Sequence, residues 1–387
     1  MYRIAVIGRG LFGSASARHL AESCDGIVCI GPDEPIDRSA HAGVFASHYD
    51  EGRMTRHIDP FAEWSITASA SIKRYRDLEA RSAIQFYSAS GYLGLGHPSS
   101  TYNARCAETG AAAGVPLERL DAAGIRERYP FLSVEDDADG LVENGGAGHI
   151  SPRKLVQAQT RLAEQAGASI VRQPVRAVRA LPGGVEVELW DGATLKAEKV
   201  LIAAGAFLAP GGLSPVDLKL TVFGRTTVLV RIEGVAARAL KGMPTMIDAT
   251  IGAYILPPIR YPDGQRYLKI GVGTEQDPQF NSLSDLQAWF KSSGSKADRA
   301  QFQTRLKQLI PVLAECSEWH TDTCAVTRTL SGLPIIDFVD GHKIAVAVGG
   351  CGKGAKGSDE WGRIAARLVR GAPWDSAVSQ AKLALSP

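Results

Sequence analysis

The sequence predicts an α/β protein (α+β overall) in which a domain built on a parallel sheet is interrupted by a domain with a mainly antiparallel sheet. Apolar strands that end in glycine or other small residues occur near the start, middle and end of the 387-residue chain, at 2–13, 199–207 and 344–357. Long stretches with alternating polar and apolar residues, typical of antiparallel strands, lie between them. We therefore expect the three separated segments to form one discontinuous domain.

The chain is long enough for two domains with separate cores. The parallel-sheet domain is expected to comprise 1–85, 145–215 and 325–387, and the inserted domain 86–144 and 216–324. Apolar periodicity predicts helices over 14–22, 63–80, 103–114, 116–129, 151–166, 281–315 with a break at 293–295, and 360–370. Ser151 and Pro152 suit the N-cap and first turn of their helix.

The first strand-to-helix turn has the pattern G-x-G-x-x-G at Gly8, Gly10 and Gly13. In this context the pattern predicts a Rossmann-like domain with a dinucleotide pyrophosphate at the N-terminus of the helix. Gly8 would make the tight turn, Gly10 would let the backbone approach phosphate, and Gly13 would let the helix pack closely on the strand. The alternative is an ordinary tight turn between a strand and a helix.

The remaining nucleotide contacts are less regular. A second apolar strand ends at Gly31, where dinucleotide folds usually carry an acid that binds the ribose. Asp33 and Glu34 follow closely and can substitute for that acid. Gly205 lies where the middle apolar strand ends in small residues, which lets a nucleotide lie close to the backbone.

Two further segments suit an anion. Arg53 and Arg56 are three residues apart, so on a helix both guanidinium groups would share one face. That face is either solvated or a site for phosphate or carboxylate. The glycine-rich turn at 349–357 opens the last predicted helix and is fit for an anion or a cofactor ring.

Composition excludes several classes of function. Net charge is +2, apolar residues make up 45% and charged residues 22%, and there is no long basic run. We therefore expect no nucleic-acid partner and no membrane, and because the first strand begins at once we expect a cytoplasmic protein without a signal peptide. None of the six cysteines shows C-x-x-C spacing, so we expect free thiols and no metal site.

Four segments together resemble the D-amino-acid-oxidase superfamily of FAD enzymes, and within it the group of monomeric sarcosine oxidase, N-methyltryptophan oxidase and pipecolate oxidase. They are Ser47-His48 with Arg53-Met54-Thr55-Arg56-His57, Tyr267-Leu268-Lys269-Ile270-Gly271, Cys324-Ala325-Val326-Thr327 with Ile335-Ile336-Asp337, and Gly352-Lys353-Gly354-Ala355-Lys356. The resemblance implies a Rossmann-like FAD-binding domain and oxidation of an amino acid or N-substituted amino acid to an imine, with O₂ reduced to H₂O₂.

The resemblance also assigns roles. It places a covalent thioether to a methyl of the flavin ring on Cys324, where the alternative is an inert buried thiol. It places the oxygen-activating charge on Lys269, where the alternative is an outward lysine at a strand edge. Its remaining implied contacts to FAD are Ser47, His48, Arg53, Val175, Gly352, Gly354 and Lys356, and its contacts to the substrate are Arg56, Tyr254 and Lys356.

Departures from the family pattern concern the substrate. Val326 replaces an aromatic residue, Gly273 and Lys353 replace histidines, and Ala355 replaces a phenylalanine. We expect a roomier, more cationic pocket than one for sarcosine, and a larger amino acid that carries a second acidic group. The oligomeric state does not follow from these residues.

Three other functions remain open at this point. One is an amino-acid dehydrogenase of the same fold with an electron acceptor other than oxygen. Another is a non-catalytic or tRNA-modifying flavin-binding module. The third, an NAD dehydrogenase, leaves the segments around Lys269 and Cys324 without a role.

Overall fold

The computed structural model describes residues 1–274 and 276–385, so the last two residues of the predicted segment 325–387 lie outside it. The helices are α1 Leu11–Ala21, α2 Ala62–Ser82, α3 Thr101–Ala112, α4 Ala122–Arg128, α5 Pro152–Gln165, α6 Gly234–Ala239, α7 Leu283–Lys291, α8 Lys296–Leu309 and α9 Ser358–Arg370. The first strands are β1 Tyr2–Ile7, β2 Ile27–Ile30, β3 Arg53–Thr55, β4 Tyr87–Ser88, β5 Tyr92–Gly96, β6 Glu118–Leu120, β7 Asp139–Glu143, β8 Gly148–Ile150, β9 Ser169–Val171 and β10 Val175–Leu181. The others are β11 Gly184–Leu189, β12 Thr194–Ile202, β13 Thr221–Arg231, β14 Thr245–Asp248, β15 Ala253–Arg260, β16 Arg266–Gly271, β17 Trp319–Arg328, β18 Ile335–Phe338 and β19 Ile344–Val348.

The first large sheet joins the start, middle and end of the chain. Strands β9, β2, β1, β12 and β19 run parallel in that order. Strands β10 and β11 extend it antiparallel from β12, and β18 pairs antiparallel with β19. Every residue of β2 and β19 is buried, as a parallel sheet covered on both faces requires. Three distant segments of the chain thus contribute strands to one sheet.

A buried carboxylate ties the helices of this sheet together. Asp359, at the start of α9, is fully buried and accepts hydrogen bonds from Arg18 Nη2 of α1 at 2.7 Å and Arg74 Nε of α2 at 2.5 Å. Gln159 Nε2 of α5 donates to the same carboxylate at 2.8 Å. Because a buried charge needs partners on all sides, this group fixes α9 against the other three helices.

The second large sheet has the order β17-β13-β16-β15-β14-β5-β7-β6, and all its pairs are antiparallel except β14 with β5. The predicted fold class, with a mainly antiparallel second sheet, is confirmed. Strand β17 runs to Arg328 within this sheet. We propose that each large sheet is the centre of one domain and that the last boundary follows Arg328, a few residues beyond the predicted one.

A small third sheet, β3-β8-β4, corrects one prediction. Arg53 lies on β3, paired with Ile150 of β8, and does not lie on a helix. In an extended chain, residues three apart point to opposite faces, so the shared helical face predicted for Arg53 and Arg56 was wrong.

The single helix predicted over 116–129 was also wrong. Residues 118–120 form β6 on the edge of the second sheet, and α4 begins only at Ala122. The Asp121 side chain accepts a hydrogen bond from Gly124 N at 2.8 Å, which is an N-cap and starts the helix there. Over the ranges described, no helix combines the length and apolar composition needed to cross a membrane.

Candidate active site

A cavity of about 950 Å³ lies between the two large sheets. Its walls include the carboxyl ends of β1, β2, β12 and β19 on one side and residues of β13 and β17 on the other. Ligands of open parallel sheets bind at the carboxyl ends of the strands. The fold therefore opens its principal cavity at the edge where a nucleotide is expected.

The structure brings most of the predicted site residues to this cavity. Those that line it are Gly8, Gly10, Ser47, His48, Arg53, Arg56, Val175, Gly205, Tyr254, Cys324, Gly352, Gly354 and Lys356. Gly13, Asp33 and Lys269 are not among the described residues of its wall. Their positions are given below.

The first glycine turn has the shape that a bound pyrophosphate needs. Gly8 has φ +102°, and a Cβ there would overlap the carbonyl of Ala203. A Cβ at Gly13 would overlap the carbonyl oxygen of Gly8, so only glycine lets α1 approach β1 so closely. At Gly10 the nearest atom to such a Cβ is 3.9 Å away, on His48, so this glycine faces open cavity. The three glycines thus divide between packing and ligand access as their spacing predicts.

Val175 and Trp190 also line the cavity, and the indole Nε1 of Trp190 donates to the Val175 carbonyl at 3.1 Å. Gly205 adopts φ +56° and has no atom within 4 Å of an added Cβ. Asp33 lies outside this wall, and its carboxylate accepts from Arg9 Nη1 at 2.8 Å. Its contact to a ribose therefore remains a prediction, and its observed partners are Arg9 and Arg172.

Ser47, His48 and Arg53 form a polar part of the cavity wall. The Ser47 hydroxyl donates to the Ala325 carbonyl at 2.7 Å, and Arg53 Nη2 donates to the Ser47 carbonyl at 2.8 Å. His48 is held neutral, because burial and then the nearby arginines lower its pKa to about 3. Its buried Nδ1 has no hydrogen-bond partner in the described chain, which leaves it available to a ligand in the cavity.

Cys324 lies on β17 and lines the cavity. Burial raises the pKa of its thiol, while Arg53 and Lys269 act in the opposite direction by favouring the thiolate. The Cys324 backbone is held in place because Trp289 Nε1 donates to its carbonyl at 2.9 Å. The thiol is thus positioned at the cavity and has cations beside it.

A cationic cluster surrounds the fully buried Asp59. Lys356 Nζ donates to one carboxylate oxygen at 2.5 Å, Lys353 Nζ donates to the other at 2.9 Å, and Arg56 Nη2 lies 3.7 Å away. Burial acts to raise the pKa of Asp59, but Lys356, Lys353 and Arg56 outweigh it and hold that pKa below its usual range. One carboxylate faces three cations, so the cluster keeps an excess of positive charge toward the cavity.

Arg56 is oriented by tyrosines as well as by Asp59. Its Nη2 donates to the Tyr102 hydroxyl at 2.6 Å, and its guanidinium lies 4.9 Å from the ring centre of Tyr92. Its buried Nε has no partner among the residues the structure describes. A bound carboxylate could therefore take a free N–H of a guanidinium that is already fixed in place.

The closing glycine-rich turn carries Lys356 to this cluster. Gly352 has φ +74°, and a Cβ at Gly354 would lie 3.2 Å from the ring of Phe12 in the first turn. The two glycine-rich turns of the chain therefore pack against each other at the cavity. This close approach explains why the last strand and helix contribute to the same site as the first.

Lys269 lies behind the cavity wall. Its ammonium is buried, donates to Asp50 and to the Gly52 carbonyl at 2.7 Å, and lies 5.6 Å from the ring centre of Tyr254, which lines the cavity. Burial and then Arg53 lower the pKa of Lys269, whereas the salt bridge with Asp50 favours the charged form. Its predicted role in oxygen activation therefore requires that the charge of the ammonium act on the cavity across the side chains of the wall.

Three acidic or basic residues at the site were missed by the sequence reasoning. Asp59 organises the cationic cluster, Asp50 accepts from Lys269 and from the Tyr261 hydroxyl at 2.8 Å, and Arg225 lines the cavity. Arg225 offered a signal, since it is a lone charge within residues 223–230 of β13. The two aspartates follow Ser47 and Arg56 closely, but nothing in the sequence distinguishes them from surface acids.

Comparison with known proteins decides the family. Residues 3–368 match the model of the family described as DAO, FAD dependent oxidoreductase. The chain belongs to this family.

Individual members of the DAO family are more distant. N-methyl-L-tryptophan oxidase of Yersinia pestis (strain Pestoides F) is 26% identical over 209 residues, 54% of each chain, so the match spans about half the length of this curated relative. The solved structure of NikD, an unusual amino acid oxidase essential for nikkomycin biosynthesis, matches with TM-score 0.77 and 19% identity over 99% of this chain and 97% of that one. Iminodiacetate oxidase from Chelativorans sp. BNC1 matches with TM-score 0.75 and 20% identity over 99% of both chains. These structural likenesses show the shared fold.

The cavity fits the FAD that the family name implies. Gly10 leaves an open cradle at the N-terminus of α1, where backbone N–H groups suit a pyrophosphate. Arg9 and His48 line the same cavity, and the buried Nε of Arg9 and Nδ1 of His48 have no hydrogen-bond partner among the described residues. Within residues 1–274 and 276–385, no group of three or more His, Cys, Asp or Glu side chains is placed to hold a metal ion.

Proposed function

We propose that this protein is an FAD-dependent oxidase of amino acids or N-substituted amino acids, which yields an imine and H₂O₂. The observation that carries the proposal is the arrangement of one cavity. It joins the glycine turn of Gly8 and Gly10 to a cationic cluster of Arg56 and Lys356. A dinucleotide held at the turn and a carboxylate held at the cluster would lie in the same enclosed space.

Within this proposal the chain mainly binds and orients. Arg56 offers a fixed guanidinium and Lys356 a point charge to the carboxylate of the amino acid. FAD, when bound, would supply the redox chemistry, as acceptor of a hydride from the carbon next to nitrogen and as donor of electrons to O₂. The cationic Lys269 supports the second half of this chemistry, because O₂ gains negative charge as it takes up the first electron.

The proposed activity is tested by supplying purified holoenzyme with N-methyl and primary amino acids and measuring H₂O₂. An oxidase forms one peroxide for each imine and consumes O₂. Reduction of an artificial dye without peroxide would identify the alternative, a dehydrogenase of the same fold. A preparation that remains colourless after incubation with FAD would instead support a module that does not use flavin.

We also propose that FAD is attached through Cys324. The S–H bond and one C–H bond of a ring methyl would break, an S–C bond would form, and the two electrons and two protons released would end on O₂ as H₂O₂. The position of the thiol on the cavity wall and the cations that favour its thiolate support this attachment.

The expected result of acid denaturation is that the yellow colour stays with the wild-type chain and is released from Cys324→Ala. Cys351→Ala is the matched control, because Cys351 is a second cysteine of the described cavity wall. Its colour should stay with the chain. Free flavin in the wild-type supernatant would show that the attachment is absent, and loss of colour from Cys351→Ala alone would move it to that thiol.

Carboxylate binding should weaken as pH rises through about 8. Burial, opposed by Asp59, lowers the pKa of Lys356 to about 8, so the ammonium is present below that pH and lost above it. Loss of one charge-assisted hydrogen bond should raise the dissociation constant of butyrate about tenfold. Perturbation of the flavin absorbance measures this constant, and butyrate has no amine to titrate. Lys356→Met should bind butyrate weakly at every pH, whereas an unchanged pH profile in this variant would exclude Lys356 as the titrating group.

A further inference from the structure

We propose that Arg225 and Arg328 form a second anion subsite in the cavity, and that the amine oxidised here carries two acidic groups. The inference rests on the proposed function and specifies its substrate class. One acidic group is the carboxylate held at the Asp59 cluster. The other is a carboxylate or similar acid on the side chain or on the nitrogen substituent.

The first observation is the position of Arg225. This residue lies on β13, lines the cavity and is 8% exposed. A Cβ added to Gly273 would lie 2.7 Å from Arg225 Nη2 and 3.3 Å from Nε. The guanidinium therefore occupies space that any side chain at position 273 would take. The absence of a side chain at Gly273 is what admits this cation to the cavity.

The second observation is a neighbouring cation. Arg328, at the end of β17, also lines the cavity and is exposed. The guanidinium carbons of Arg225 and Arg328 lie 5.4 and 5.2 Å from the ring centre of Phe223, so the two cations share one aromatic support. One member is buried and fixed, while the other lies at the solvent side, where it can meet an entering anion.

The charges that face the cavity at this subsite are positive. Asp277 forms a salt bridge with Arg225 and is not part of the cavity wall as described. The buried Asp298 also favours the charged form of Arg225 and likewise is not among the described residues of the wall, so both acids lie behind the arginines and leave the cavity side to the two cations. The Asp59 cluster shows the same imbalance, since its single carboxylate faces Arg56 and two lysines. Like charges held together in a cavity are costly unless an anion joins them, so each group favours an acidic ligand.

The subsite lies away from the end that suits pyrophosphate. The glycine turn belongs to the first sheet, whereas Arg225 is the register partner of Cys324 in the second sheet. The pair therefore lies at the end of the cavity proposed for the flavin ring and the substrate. Arginine binds carboxylates bidentately, so Arg225 would select an acid over an amide of the same shape.

The test compares acids with their amides in holoenzyme. The side-chain arm compares N-methylglutamate with N-methylglutamine, and the nitrogen arm compares N-(2-carboxyethyl)glycine with N-(2-carbamoylethyl)glycine, all as kcat/KM. We expect kcat/KM for the acid to exceed kcat/KM for its amide at least tenfold in one arm. That arm identifies whether the substrate carries its second acidic group on the side chain or on the nitrogen substituent. Ratios below fivefold in both arms would overturn the inference.

Variants connect the preference to the arginines. Arg225→Gln should lower the acid-to-amide ratio about tenfold, and Arg225→Lys should retain part of it. Arg225→Gln leaves the buried Asp277 without its partner and can disturb the fold. The exposed Arg328→Gln therefore serves as the second variant and should lower the ratio about threefold. Arg231→Gln is the control, since Arg231 lies on the same strand and pairs with Glu318 on the surface. An unchanged ratio in both Arg225→Gln and Arg328→Gln would assign the preference elsewhere.

A binding measurement separates this inference from the proposed function. Glutarate and glutaramate differ by one charge and contain no amine, and both can be titrated against the absorbance of oxidised holoenzyme. If no amine is oxidised, the proposed function fails. A preference of at least fivefold for glutarate that disappears in Arg328→Gln would still establish the diacid subsite, and equal affinities would overturn it.

Discussion

Replacement of Lys269 with methionine is expected to slow the reaction with O₂ about 10²–10³-fold, the usual effect of removing one charge that stabilises a developing anion. Methionine has a similar length and no charge, so the buried position stays filled. Asp50 keeps its hydrogen bond from Tyr261 and its salt bridge with Arg53. The step should be measured by reducing the enzyme anaerobically with substrate and mixing it with buffers of known O₂ content.

Two readouts separate this role from a structural one. Anaerobic reduction by the amino acid should change less than about threefold, because the Arg56 and Lys356 cluster remains intact. Lys269→Arg keeps the charge and should restore most of the oxygen reaction. If Lys269→Met and wild type are reoxidised at equal rates, oxygen activation does not depend on this lysine.

The second large effect is expected at Gly13. Because a Cβ at this position would overlap the Gly8 carbonyl, Gly13→Ala must push α1 away from β1. Overpacking of this kind costs about 3 kcal/mol, which for a chain of 387 residues corresponds to a fall of about 4 °C in the melting temperature. The measurement is made on apoprotein in the Cys324→Ala background, so that bound cofactor does not mask the change.

Two other glycines provide the comparison. Gly10→Ala should leave the apoprotein melting temperature nearly unchanged and weaken FAD binding, since its Cβ would meet only open cavity. Gly145→Ala, at a surface position with no atom within 4 Å, should affect neither property. Equal melting temperatures for Gly13→Ala and Gly10→Ala would contradict the assignment of Gly13 to helix packing and of Gly10 to ligand access.

Parts of the site could be predicted because their chemistry is local in the chain. The spacing of Gly8, Gly10 and Gly13 encodes one turn, and a turn is read from a few consecutive residues. The parallel sheet could also be predicted, because continuous apolar strands such as β2 and β19 are typical of a sheet that is buried on both faces. The arrangement of Arg56, Tyr254, Cys324 and Lys356 around one cavity agrees with the resemblance stated from their flanking motifs.

What could not be predicted depends on contacts between distant segments. Asp59 gains its importance from Lys353 and Lys356, almost 300 positions away. Arg225 faces the cavity because Gly273 leaves room for it, and no pattern in the sequence pairs those two residues. The shared face considered for Arg53 and Arg56 applied only if they lay on a helix, and their spacing alone cannot show that β8 pairs with Arg53.

The buried Asp359 has a consequence for biosynthesis. It joins α9 to α1, and the turn before α9 packs against the first glycine turn. A nascent chain that has been synthesised only as far as β17 lacks one wall of the cofactor site. Flavin binding must therefore wait until residues 344–370 have been synthesised. The glycine turn near the start of the chain is completed by the glycine-rich turn near its end.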